Sequence, residues 1–241
     1  ELTDPSQRRR YNEWHQLDHR PENLALPGVA WGDRWARPAD AAVRGRASEQ
    51  YAGTDYLAMY WFREPLAQSL AEWDALGEAS FQWGRGPIIP GVRRALLAFF
   101  RPVKGYSAQS ALVSPDVLPF RPNRGLHVTL ESYAEPHSAS VHERFAWEDR
   151  ELVPELLALP GVAGVWTFSF DHAQRHSTLP LEGAATDAPG SLRIRLVYLD
   201  DDPVALAPGI AELAARRDAA ADGARVELET AVTTIIPWQD W

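Results

Sequence analysis

Two stretches decide the fold: WHQLDHRPENLALPGVA at 14–30 and WEDRELVPELLALPGVA at 147–163. Aligned without a gap, they are identical at 10 of 17 positions: the tryptophan, the Pro-Glu pair and all of Leu-Ala-Leu-Pro-Gly-Val-Ala. Two copies set 133 residues apart in a chain of 241 mean two similar units rather than a solenoid, which stacks more repeats.

The sequence around each copy agrees with this reading. In the second half, GLHVTLESY (125–133) alternates as a strand does, and a helix across about 138–158 stops at Pro160-Gly161. GVWTFSF (164–170) is rich in β-branched and aromatic residues, and SLRIRLVYL (191–199) alternates again. A helix over 204–221, interrupted at Pro208-Gly209, precedes a last strand over 225–236. The order is β-α-β-β-α-β, a ferredoxin-like unit. The first half predicts a helix over 5–26, strands over 29–37 and 55–63, a helix over 65–77, an irregular GRGPIIPG stretch (84–91) and a strand over 93–100. Its opening strand has no counterpart in the sequence, so a strand upstream of Glu1 is expected.

Tyr-Asn-x-Trp at 11–14, then Asp18, His19, Pro21, Glu22 and Leu-Ala-x-Pro-Gly at 24–28 resemble the first helix of EthD-like proteins of the dimeric α/β-barrel superfamily. The resemblance implies an α+β chain in which two tandem ferredoxin-like units, 1–120 and 121–241, form an intrachain barrel around a cavity. The superfamily includes cofactor-free cyclases, lyases, isomerases and monooxygenases, and more distant tandem members hold haem. Fold alone therefore narrows the function only slightly. A homodimer is also compatible with the resemblance.

The copies differ where chemistry is expected. His15 and His19 in the first face Glu148 and Leu152 in the second. Scaffold residues kept twice and histidines kept once fit a single active site with the other half as its wall. On a helical wheel, Tyr11, Trp14, Leu17, Pro21 and Leu24 form a core stripe, with Asp18 at its edge and His15, His19 and Glu22 on the flank. Pro21 lacks the N–H that the Leu17 carbonyl would use, so a kink is expected there. His19, oriented by Asp18, is a candidate acid or base; a buried structural hydrogen bond and a solvated position are the other readings. If Leu126, Val128 and Leu130 face the helices, then His127, Thr129, Glu131 and Tyr133 face the cavity, and His127 and Glu131 become proton carriers. Alternatively they form salt bridges with Arg193 and Arg195. Trp31, Trp35, Tyr56, Tyr60 and Trp61, together with His15 and Tyr133, are candidate substrate contacts.

Composition limits the remainder. With 45% hydrophobic residues and ten tryptophans, the chain can fill a large core. A net charge of −9, with Arg8-Arg9-Arg10 as the one dense basic patch, argues against a nucleic-acid partner. The absence of cysteine excludes disulfides, thiolate metal sites and a cysteine nucleophile. No apolar run nears the roughly 18–20 residues that span a bilayer, so no membrane partner and a cytoplasmic location are expected. His15/His19 and His172/His176 share the i, i+4 spacing of helical metal ligands, but HAQRH reads as a loop and no third ligand is evident, so no metal is expected. There is no dinucleotide fingerprint, Walker loop or nucleophile elbow, and no cofactor is expected. The leading expectation is a cofactor-free lyase, dehydratase, isomerase or cyclase acting on a small apolar or aromatic molecule. A non-catalytic carrier or sensor of an aromatic ligand, and a haem-dependent oxidative enzyme with a histidine axial ligand, are the alternatives.

Overall fold

The computed structural model describes residues 1–85, 89–174 and 188–235. The chain opens with one continuous helical run. After a 3-10 turn capped by Asp4, helix α1 (Arg8–Trp14) passes through a π-turn (His15–His19) into α2 (Arg20–Leu24). In the second half α4 (Ala139–Trp147), a π-turn (Glu148–Leu152) and α5 (Val153–Ala158) repeat the pattern at the aligned positions. The cause is the proline that follows each turn, Pro21 and Pro154. Proline cannot donate to the carbonyl four residues back and crowds it. The extra residue of a π-turn opens that ring, so the expected kink takes this form. Arg20 N–H donates to the His15 carbonyl, and Val153 N–H to that of Glu148.

Each helical run leads, through Pro27-Gly28 or Pro160-Gly161, into a strand: β1 (Val29–Ala36) or β6 (Val162–Ala173). Both strands carry a β-bulge at the aligned place, between Val29 and Trp31 and between Val162 and Gly164. The other elements are β2 (Arg46–Ala47), β3 (Tyr56–Phe62), α3 (Leu66–Gln82), β4 (Ala98–Ser107), β5 (Gly125–Tyr133), β7 (Leu192–Leu199), α6 (Pro203–Ala215) and β8 (Ala224–Thr234).

The strands form a single antiparallel sheet of order β3-β1-β8-β5-β7-β6-β4, with β2 on β8. The second half supplies the continuous centre, β8-β5-β7-β6, and the first half adds β1 and β3 at one end and β4 at the other. The sheet curls into a half-barrel. Trp61 of β3 thereby meets Trp166 and Phe168 of β6, with ring centroids 5.7 and 5.3 Å apart. Even the two edge strands approach one another, with Phe62 and Phe99 at 6.0 Å. The concave side is a packed core of Trp35, Leu126, Val128, Phe168, Leu196 and Tyr198, with Leu118 from the 108–124 connection driven into it. A second core, on the other side of β6 and β7, joins Val165, Val197 and Leu199 to Leu152, Leu156 and Ile210 of the helices.

This layering reverses one expectation. Leu126, Val128 and Leu130 face the concave core, so His127, Glu131 and Tyr133 face the helices instead of the cavity. Both faces of β5 are buried, so alternation alone cannot say which layer takes the apolar one. Local extents also differ. The last first-half strand runs 98–107 rather than 93–100, because bulges at Phe99/Phe100 and Pro102/Lys104 let an edge strand continue past Pro102. Helix α3 continues to Gln82, and Pro208 lies within α6 instead of breaking it. His172 lies in β6 and not in a loop. His176, residues 86–88 of the GRGPIIPG stretch and residue 236 lie outside the described residues.

Candidate functional site

The face that the first helical run turns to the sheet is made by residues 11, 15, 19 and 23, aligned with 144, 148, 152 and 156. In the second half these are Arg144, Glu148, Leu152 and Leu156, and all four are buried. Leu152 and Leu156 belong to the helix–sheet core. Arg144 forms a bidentate pair with Glu131, donating from Nε to Oε2 (3.1 Å) and from Nη2 to Oε1. Glu148 accepts from Arg193 (2.9 Å) and Arg195 (2.6 Å). Every charge on this face has a partner of opposite sign.

The first half presents Tyr11, His15, His19 and Asn23 instead. The expected stripe of Trp14 and Leu17 is not the buried one: Leu17 is 41% exposed, whereas Asn12, His15, Gln16 and Asn23 are buried. The π-turn shifts the residues beyond it, so that Asn23 joins the inward side on which Asn12, His15 and Gln16 already lie. His19 stacks on Trp14 with centroids 4.6 Å apart, and His15 stands edge-on to it at 5.2 Å. The Asn23 amide lies 3.1 Å from His19 Nε2. Below them are Arg34 of β1 and Tyr56 and Tyr60 of β3. Tyr11 packs on Tyr56 at 5.5 Å, and the Asn12 amide donates to the Tyr56 hydroxyl at 3.2 Å.

Burial sets the protonation states in this cluster. Burial lowers His19 to about 4, with the nearby Arg94 adding to the effect. His15 falls well below the usual histidine range for the same reason, assisted by Arg34. Burial raises Tyr60 to about 12. At neutral pH the site therefore holds two neutral imidazoles, a protonated Tyr60 and the cations Arg34 and Arg94. Neutral imidazole can accept or relay a proton, and phenol can donate one.

The structure brings His15, His19, Tyr56 and Tyr60 together and sends the other candidates elsewhere. Asp18 does not orient His19; its carboxylate pairs with Arg85. Trp35 and Trp61 lie on the opposite, concave face of the same two strands. Trp31 packs against Phe120 at 6.3 Å and under the Arg20 guanidinium. His127, held down to about 3 by burial and then by Arg195, is sealed in the second half's helix–sheet layer. Burial would raise Glu131, but hydrogen bonds and charge from Arg144 more than offset it and hold this carboxylate low. Tyr133 donates to that same carboxylate. Thr129 and Glu131 do stand across the sheet from Arg195 and Arg193, and Arg195 donates to Thr129 at 3.2 Å, but both arginines form their ion pairs with Glu148 and the group is buried.

Among the described residues no group of three or more His, Cys, Asp or Glu side chains could hold a metal ion. The histidines also fit haem ligation poorly: His19 is stacked and engaged by Asn23, and His127 is enclosed. Sequence reading missed Arg34, Asn23 and Arg94. A signal existed for Arg34, which with Asp33 places charge at the centre of the VAWGDRWA strand. The chain matches no known family model, and no curated protein is significantly similar to it. No helix of the described residues is long and apolar enough to cross a membrane.

Proposed function

We propose that the protein is a cofactor-free acid–base enzyme of the lyase, dehydratase, isomerase or cyclase type, acting on a small apolar or aromatic molecule at the cluster beneath α1. One observation carries the reading: His19 and Asn23 occupy positions where the second half has Leu152 and Leu156. A helix face buried against a sheet is normally apolar, and buried polar groups are costly unless a role retains them. His19 is the proton carrier, Asn23 fixes its ring, and Tyr60 supplies a neutral donor.

The same reading takes the chain as two tandem ferredoxin-like units of the EthD-like type. Support comes from the aligned π-turns and bulges and from the β8-β5-β7-β6 order of the second half. The opening strand of the first unit then corresponds to the interval between β3 and β4. Near that interval Leu2 N–H donates to Asp55 at 2.8 Å, and Glu1 and Arg93 exchange backbone hydrogen bonds. A cytoplasmic setting and a homodimer belong to this proposal on composition and resemblance alone.

Solvent-proton exchange tests the enzymatic reading without knowledge of the substrate. Phenyl and alkyl ketones in D2O, followed by NMR, are expected to exchange α-protons faster with the protein than without it. His19→Gln should lose about 10²–10⁴ of that acceleration, the usual contribution of a positioned acid or base. An absence of exchange across the panel, or full exchange in the folded His19→Gln protein, overturns it. One observation favours a non-catalytic carrier or sensor: an imidazole held near 4 is a weak base at neutral pH. Binding of small aromatics without exchange would select that reading.

A further inference from the structure

We propose that Arg34 anchors a carboxylate of the bound small molecule, its Nε and Nη2 gripping both oxygens. The proposal deepens the reading above by naming the chemistry that the cluster recognises. It starts from one rung of the sheet. In the second half Thr167 of β6 stands opposite Arg195 of β7, and at the aligned rung Arg34 of β1 stands opposite Ala58 of β3. A cation is kept at this level and has moved across the rung. Arg195 is answered from the helix by Glu148. The aligned helix residue is His15, a neutral imidazole, so the first half keeps the cation without the carboxylate.

Arg34 is completely buried. Its Nη1 donates to Asn12 at 2.7 Å, and the Tyr56 and Tyr11 rings, themselves 5.5 Å apart, lie against the guanidinium with centroids 3.9 and 4.6 Å from Cζ. Nε and Nη2 are buried with no acceptor in hydrogen-bond geometry among the described residues, although the Tyr11 hydroxyl lies close to the guanidinium. An arginine buried in this way is expensive unless an anion meets it. These two N–H groups form the side edge of the guanidinium, which matches the two oxygens of a carboxylate. Elsewhere the protein uses the same edge in this way, Arg144 on Glu131 and Arg217 on Asp222 (2.5 and 2.7 Å). Ala58, opposite Arg34 on the same sheet face, is exposed, so this is the side from which a ligand would approach. The flanking aromatic rings suit a flat apolar acid.

Titration of the full chain with benzoate, benzamide and inorganic phosphate, read by calorimetry and thermal shift, tests this. Benzoate is expected to bind one per chain and raise Tm, with benzamide and phosphate inert. Arg34→Met should weaken benzoate about 10- to 100-fold, the cost of losing a charged hydrogen-bonded contact. Arg34→Lys keeps the charge without the fork and should weaken it by about 10-fold or more, which covers the case in which the methionine variant fails to fold. Benzoate that does not bind, that binds both folded variants as well as the wild type, or that is matched by phosphate or benzamide overturns the proposal. The two readings fail separately. Benzoate binding through Arg34 without proton exchange refutes the enzyme alone, and exchange of neutral ketones without benzoate binding refutes the carboxylate alone.

Discussion

At the scale of single residues, the two halves treat buried charge in opposite ways. Arg144 has Glu131 across a bidentate bridge, and Tyr133 and Asp222 complete the group. Removing Glu131 takes away the bidentate partner of a buried arginine and leaves Arg144 only the longer contact to Asp222 at 3.6 Å. Glu131→Leu is therefore expected to cost about 3–5 kcal/mol in denaturant unfolding, and the double change with Arg144→Met should recover much of the loss. Additive losses in the double variant would mean that packing, rather than charge, dominates there. Arg34 lacks such a carboxylate, so Arg34→Met should leave the unliganded Tm unchanged or higher. A large fall would mean that its contacts with the Tyr11 and Tyr56 rings are needed for the fold.

At the scale of elements, the repeated π-turn and bulge act as hinges that aim the same side chains at different layers. The bulge has diverged. The first half has Trp31 there, and the second has Gly164, because β4 runs over this position in the second half. A Cβ on Gly164 would lie 2.4 Å from the Tyr106 carbonyl oxygen and 2.3 Å from a Leu118 methyl. Leu118 could turn aside, but the β4 backbone could not. Gly164→Ala should then cost about 1–3 kcal/mol, the usual range for overpacking, and loosen β4. Unchanged stability, with unchanged hydrogen-exchange protection of 98–107, would show that β4 is not held tightly against this strand.

At the scale of the whole molecule, the sheet curls round a core on one side and carries helices on the other, which buries His15 and His127 and partly buries His19. In the folded state His127 stays neutral until about pH 3, His19 until about 4, and His15 until well below its ordinary value. Unfolded imidazoles take up protons near pH 6.5, so the unfolded state gains protons first. Stability is complete above about 6.5 and falls as pH drops, by up to about 1.4 kcal/mol per pH unit for each histidine. Glu131 acts in a different window, because its low folded value maintains its contribution until pH falls below about 4.5. Urea unfolding between pH 7.5 and 5 should therefore show a declining ΔG, and His127→Leu should flatten the slope by as much as one histidine's share. An identical slope in that variant would show that His127 takes up its proton in the folded state without penalty.

The repeat at 14–30 and 147–163 determined by itself the helical run, the Pro-Gly exit and the strand that follows each copy, because those depend on local backbone chemistry. The contrast of His19 with Leu152 likewise marked the first helix as the place to look. Tertiary structure decided what stands opposite each face. The alternation of β5 separates Leu126, Val128 and Leu130 from His127, Thr129 and Glu131, but both sets are buried. The layer each set meets depends on Arg144 and Glu148, more than ten residues further along the chain. Arg34 is a similar case: in sequence it is one of two adjacent charges in a strand, and its significance comes from the rung it shares with Ala58 and from the imidazole of His15 above it. Local propensity fixes the period of an element, but only packing between distant elements sets the partner of a buried charge, since that partner is chosen by proximity in space.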